Sequence, residues 1–258
     1  MAHQVYENEI LSSKINDILT TKVDINNYMT IDTSMSEQAG MKKVINKYTS
    51  TGAIEELGMG EGNSSEIEVS FTPVEYEVKT FQGKFGFFDE QEMTDPMIVD
   101  TGLAHSADHM TNKWTELAIA EFEKATLEQT GSAWSFEVVV DAIAKMNLED
   151  EAGLFLLISP ADKAAFRKAL KDDLSYSEGF VRTGYIGSVA GVPVVVTKAV
   201  PAGKGYLATK EAVTVFIKKQ SETEYERDAD TRRNDYWVRK VGVVALTDAT
   251  KAVKVTIG

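Results

Sequence analysis

The chain has 258 residues, of which 43% are hydrophobic, 26% are charged and none is cysteine. No cysteine means no disulfide, thiolate metal site or cysteine nucleophile, and so ordinary a core-forming composition argues against disorder. With 40 acidic against 27 basic residues the net charge is −13, which repels nucleic acid and anionic membranes instead of binding them by counterion release. The start, MAHQVYENEI, has no basic segment followed by an apolar core, so no signal peptide is visible. No apolar run approaches the ~20 residues that cross a bilayer, and a soluble protein is expected.

In chain order, Ile10, Leu11, Ile15, Ile18 and Leu19 fall on one face of a helix expected over Tyr6–Thr21. Val23–Ile31 reads as extended, and the first forty residues read as an arm. Ile67, Val69 and Phe71 then alternate with acids and serine. Beyond Pro73 the alternation resumes with Val74, Tyr76 and Val78, which predicts two strands, each with one apolar face. Met41–Ile54 supplies an antiparallel partner. The segment GMGEGNSS, with Gly58, Gly60 and Gly62, is a mobile turn by composition. Such a hairpin cannot bury its apolar face alone; in an assembly it is a reaching arm, and its three glycines are candidate intersubunit contacts.

Phe81, Phe85, Phe87 and Phe88 follow, with only Lys84 as a base among them, so they are expected to pack the hairpin root on a helix. Asp89, Glu90 and Glu92 suit a helix entrance. A long helix is predicted from Pro96, capped by Thr94 or Asp95. Leu103, Ala107, Met110, Trp114 and Ala118 recur at helical spacing, and the helix runs to about Gln129, ~45 Å. His105 and His109 stand four apart but lack the glutamate of a zinc-protease motif, and they read as the polar flank of that helix.

Ser135 opens a shorter helix, Leu154–Ile158 is a buried strand, and Ser159-Pro160-Ala161-Asp162 starts a further helix. An acidic loop, Lys171–Glu178, leads into strands punctuated by glycine and proline from Gly179 to Ile217. The segment ETEYERDADTRRND (Glu222–Asp235) mixes both charges. Its Arg227, Asp228, Arg232 and Arg233 suit ion pairs, within the chain or between subunits, against the commoner solvated loop. Tyr236–Leu246 and Ala252–Ile257 close the chain as strands.

GYIGSVAGVPVVV, GYLATKEAV and YERDAD, in this order and spacing, resemble the major capsid (coat) proteins of tailed bacteriophages, the HK-ninety-seven-like fold, and the order of parts agrees across nearly the whole chain. The resemblance implies an α+β fold: an N-terminal arm (1–40), an extended β-hairpin loop (41–93), a peripheral domain of spine helix plus closing strands (94–134 and 219–258) and an axial α/β domain (135–218). It implies a structural role without cofactor, metal or catalytic residue. Copies would form pentamers and hexamers of an icosahedral shell enclosing double-stranded DNA without sequence-specific binding. A portal protein and a separate scaffolding protein are the implied partners, no membrane is involved, and assembly is placed in the host cytoplasm with the virion as destination. An encapsulin-type nanocompartment shell is the alternative within the same fold. A monomeric acidic enzyme is the alternative from another class.

Overall fold

The computed structural model describes residues 27–37, 39–169 and 187–258. The helix expected over Tyr6–Thr21, the loop expected over Lys171–Glu178 and residues 179–186 lie outside them. The described chain runs β1 (Thr30–Asp32), β2 (Lys42–Thr51), β3 (Glu68–Glu77), β4 (Lys79–Phe88), α1 (Asp89–Thr94), α2 (Ile98–Phe122), β5 (Leu127–Gly131), α3 (Phe136–Met146), β6 (Leu154–Ile158) and α4 (Pro160–Ala169). It continues with β7 (Ser188–Val189), β8 (Val192–Val196), β9 (Lys204–Thr209), β10 (Val213–Asp228), β11 (Arg233–Leu246) and β12 (Ala252–Ile257).

Three sheets result. A four-stranded sheet has the order β1-β10-β11-β4, a six-stranded sheet the order β5-β12-β9-β6-β8-β7, and β2 pairs with β3 alone. The closing strand β12 therefore lies in the six-stranded sheet, between β5 and β9.

The long helix α2 binds the two larger sheets into one core. Leu103, Ala107, Trp114, Ala118 and Phe122 on α2 are all buried. They share one hydrophobic cluster with Val215, Tyr236 and Val238 of the four-stranded sheet and with Phe155, Leu157 and Tyr206 of the six-stranded sheet. Alternation sends Leu154, Leu156 and Ile158 to the opposite face, against Val139 and Ile143 of α3 and Phe166 of α4. Both faces of β6 are thus covered, which is why Leu154–Ile158 is an unbroken apolar run.

On β4, Phe81 meets Trp114 edge-on at 5.4 Å, while Phe85 and Phe87 stack on Tyr236 at 5.0 and 5.9 Å. Phe81 and Phe85, whose ring lies against Gly102, thus meet the helix as expected, whereas Phe87 stacks on the neighbouring strand β11. Phe88, of opposite parity, stays exposed.

Two expectations are corrected here. The long helix stops at Phe122 and so spans ~37 Å, because Lys124-Ala125-Thr126 turns the chain and residues 127–131 leave as β5, parallel to β12. The charge-dense segment Glu222–Asp235 is strand, turn and strand. Glu222 and Glu224 on β10 both pair with Arg239 across the ladder, Nε–Oε1 being 2.5 Å and Nη2–Oε1 of Glu224 3.1 Å, while Thr223 between them is buried. The expected start at Ser159 holds. Its hydroxyl accepts from the Asp162 N–H (3.1 Å) and donates to the Asp162 carboxylate (2.7 Å), which also accepts from Trp134 Nε1 at 2.9 Å and the Gly203 N–H at 3.1 Å.

Lys240 breaks the apolar stripe that β11 presents to α2. It is only 8% exposed, and its Nζ lies 4.7 Å from the centre of the Trp114 ring. Burial lowers its pKa from the ordinary 10.5, so the charged form is a cost to the fold that shrinks as pH rises through the lowered value towards 10.5. Lys240→Met is expected to raise stability by about 1–2 kcal/mol at pH 7, with the difference in melting temperature narrowing at alkaline pH. In the other direction, a Cβ on Gly102 would lie 2.5 Å from the Phe85 ring. Gly102→Ala should therefore cost about 1–3 kcal/mol in thermal unfolding.

Candidate assembly surfaces

Two projections leave the body. The first is the β2–β3 hairpin, in register from Lys42↔Glu77 to Thr51↔Glu68. Its root is docked. Ile45 and Tyr76 pack on Met35, Val78, Phe216, Val241 and Ala245. Tyr76 stacks on Phe216 at 6.0 Å and its hydroxyl donates to the Leu246 carbonyl at 3.3 Å. Lys43 reaches the Ser34 hydroxyl at 2.9 Å and Asp32 at 3.7 Å.

The expected break at Pro73 does not occur. β3 passes through it as a single strand, and the apolar residues change parity there. Val74 and Tyr76 belong to the face that meets the body, whereas Val69 and Phe71 lie on the other. A two-stranded ribbon has open edges on which proline is tolerated. Beyond the root, Tyr48 and Phe71 pair across the ribbon at 6.1 Å yet remain 67% and 62% exposed. Val69, Ile67, Ile54 and Met59 are exposed beside them.

The tip is tied by a contact that no sequence signal announced. The Glu55 carboxylate accepts from the Ser64 N–H (2.7 Å), the Ser64 hydroxyl (2.5 Å) and the Ser65 hydroxyl (2.8 Å). These bonds, Ser64 first, lower its pKa. Of the three candidate glycines, Gly60 needs its residue type, at φ 90°. Gly58 donates its N–H to Glu61 at 3.0 Å, and Gly62 is exposed.

The second projection is the β10–β11 turn, where Arg227, Asp228, Arg232 and Arg233 do come together. Arg227 Nη2 lies 2.8 Å from Asp89 Oδ2, and Asn234 Nδ2 donates to Asp89 Oδ1 at 2.7 Å. Asp228 closes the turn by accepting from the Thr231 hydroxyl (2.7 Å) and the Asp230 N–H (3.0 Å). Arg232 has a left-handed φ of 53°; its carbonyl accepts from the Asp89 N–H at 3.1 Å and its guanidinium meets Glu90 at 2.9 Å. Arg233 shares Asp235 with Lys84, at 2.9 and 2.8 Å. These ion pairs lie within the chain. Sequence reasoning had assigned Asp89 and Glu90 only to a helix entrance; they open α1 and also anchor this turn. No hydrogen bond or ion pair joins the turn to the hairpin glycines among the described residues.

His105 and His109 are exposed on α2, and no group of three or more His, Cys, Asp or Glu among the described residues could hold a metal ion. An open cleft of about 340 Å³ separates α2 from the end of β8, lined by Thr111, Thr115, Leu157 and Val195 among others. No helix of the described residues is long and apolar enough to cross a membrane.

Residues 71–255 match the family model described as phage capsid protein. The chain belongs to the phage capsid protein family. The major capsid protein of Staphylococcus phage phiMR11 is 24% identical over 97% of this chain and 93% of its own length. The capsid of a native GTA particle matches at a TM-score of 0.73 and 12% identity, covering 92% of this chain and 90% of that one. The mature capsid of bacteriophage PhiM1 matches at 0.71 and 14% identity, covering 89% and 85%. The α+β, HK-ninety-seven-like capsid fold expected from the sequence is the observed one.

In this capsid chain the hydrogen bonds from Arg227 and then Asn234 hold Asp89 below its ordinary 3.8. A lowered carboxyl pKa stabilises the tie above the ordinary value and loses it as pH falls through the lowered one. Hydrogen exchange of amides 228–233, corrected for intrinsic rates, should therefore rise on acidification below that point. Asp89→Asn should show the faster exchange already at pH 7.

Proposed function

We propose that the chain is the major capsid protein of a tailed phage, a structural subunit and not an enzyme, whose copies close into an icosahedral head of pentamers and hexamers around double-stranded DNA. The observation that carries this reading is the hairpin. An arm rooted in the body by Ile45 and Tyr76 holds Tyr48, Val69 and Phe71 out in water. A monomer gains nothing from an exposed apolar ribbon with open edges, whereas a neighbouring subunit can cover it. The near full-length likeness to a curated phage major capsid protein favours a phage head over an encapsulin-type compartment.

On this reading residues 41–93 are the extended loop, 94–134 and 219–258 the peripheral domain, 135–218 the axial domain and 1–40 an arm. The hairpin tip around Gly58, Gly60 and Gly62 and the turn bearing Arg227, Asp228, Arg232 and Arg233 are proposed to touch neighbouring copies. A separate scaffolding protein and a portal are proposed as partners, with assembly in the host cytoplasm before the head becomes part of the virion.

Size-exclusion chromatography and negative-stain microscopy of the protein, expressed with its scaffolding partner, test this. Rings or shells are expected. A persistent 28.4 kDa monomer with measurable turnover would sink the reading. Replacing residues 53–66 by a short turn should leave the circular dichroism of the body intact and abolish closed shells.

A further inference from the structure

The chain holds three histidines, and two of them, His105 and His109, stand one helical turn apart. Both lie within α2 and both are exposed. Neither imidazole makes a hydrogen bond, ion pair or ring contact among the described residues. The ring nitrogens of both are therefore uncommitted.

The turn that carries them is firmly seated. Leu103 and Ala107, on the opposite face of the helix, are buried in the main core. Gly102 lies against the Phe85 ring, and the Ser106 hydroxyl donates to the Gly102 carbonyl at 2.8 Å. Residues four apart on a helix have Cβ atoms about 5–6 Å from one another on one face. Two imidazoles so placed reach a single ion from consecutive turns, and paired histidines in helical zinc sites have this spacing. Because the buried face already fixes the backbone, closing the chelate costs only side-chain freedom.

The donor set selects the metal. Imidazole nitrogens suit divalent zinc, nickel and copper, whereas magnesium and calcium require oxygen ligands. Between Ile98 and Asn112 the helix has two acids, Asp100 and Asp108, and no lysine or arginine. No fixed positive charge on this stretch opposes a dication, and the net charge of −13 favours its approach. The chain has no cysteine, and the described residues offer no group of three or more ligands, so the pair has no stronger rival among them. Ser106 stands where a zinc protease has its catalytic glutamate. The pair therefore has the means to bind a metal and not to hydrolyse with it.

We infer that His105 and His109 form a surface chelate for a divalent transition metal of the zinc and copper class, with water completing its coordination. The chelate depends on α2 alone and not on assembly of the chain. An ion held across one turn binds the folded helix in preference to the unfolded chain, so it stabilises the fold in step with metal concentration. Both larger sheets pack on this helix, and a staple on it acts on the body as a whole.

Zinc is the probe. The untagged full chain, titrated with zinc chloride in a calorimeter, is expected to bind one ion through this pair. His105→Ala and His109→Ala should each weaken that binding by about tenfold or more, with unchanged circular dichroism. His3→Ala removes the remaining histidine and should leave zinc binding as it is. In that background, electron paramagnetic resonance of the copper complex should show two coordinated imidazole nitrogens, and one after either helical substitution. Zinc should raise the melting temperature of the wild-type chain and leave that of H105A/H109A unchanged. The site is ruled out if either single variant binds zinc as tightly as the wild type, or if His3→Ala removes binding. It is equally ruled out if magnesium competes on equal terms, which would make carboxylates the ligands.

Discussion

The burial of α2 between two sheets is the constraint on which the rest of the structure depends. One face of this helix meets Phe85 directly and the Tyr236 stack behind it; further along, Phe122 lies against Phe155 and Tyr206 of the other sheet. Each large side chain so buried contributes about 1.5–3 kcal/mol, and together they fix two sheets of different topology to one rod. Polar ties at the end of the helix reinforce this. Glu123 accepts from Lys204 at 2.7 Å and from the Tyr206 hydroxyl at 2.5 Å; burial, and then this bond, raise the tyrosine pKa.

That rigid body is what makes the projections meaningful. A hairpin anchored only by its root and a turn held by Asp89 are both supported by β4, β10 and β11, the strands that pack on α2. The turn belongs to the four-stranded ladder itself, whereas the hairpin is a separate two-stranded sheet joined to the body by the packing of Ile45 and Tyr76 at its root. The same arrangement explains why the apolar residues of β3 change faces at Pro73. Near the root there is a body to bury against; farther out there is only water or another subunit.

Much of this was legible in the sequence because the relevant signals are local. The alternation around Phe71, the period of Leu103 to Ala118, the Ser159–Asp162 cap and the all-apolar Leu154–Ile158 each encode an element within a few residues. The misreadings arose where two local patterns compete. Residues 123–130 continue a helix-compatible composition but leave the helix, because β5 gains a ladder with β12, which lies more than a hundred residues away. Glu222–Asp235 looks like a loop because its charges are dense, yet alternate residues face Arg239 or the interior, and this becomes visible only once β11 is beside it.

The sequence by itself determined the class of fold, the hairpin, the spine helix and the family, since periodicity, turn residues and short motifs are properties of neighbouring residues. Only the tertiary structure decided which partners the charges take. It matched Arg227 with Asp89 and Glu55 with the tip serines, and buried Lys240 beneath Trp114. Pairing energies depend on distance and burial in three dimensions, and sequence separations such as the 138 residues between Arg227 and Asp89 carry no local trace of them.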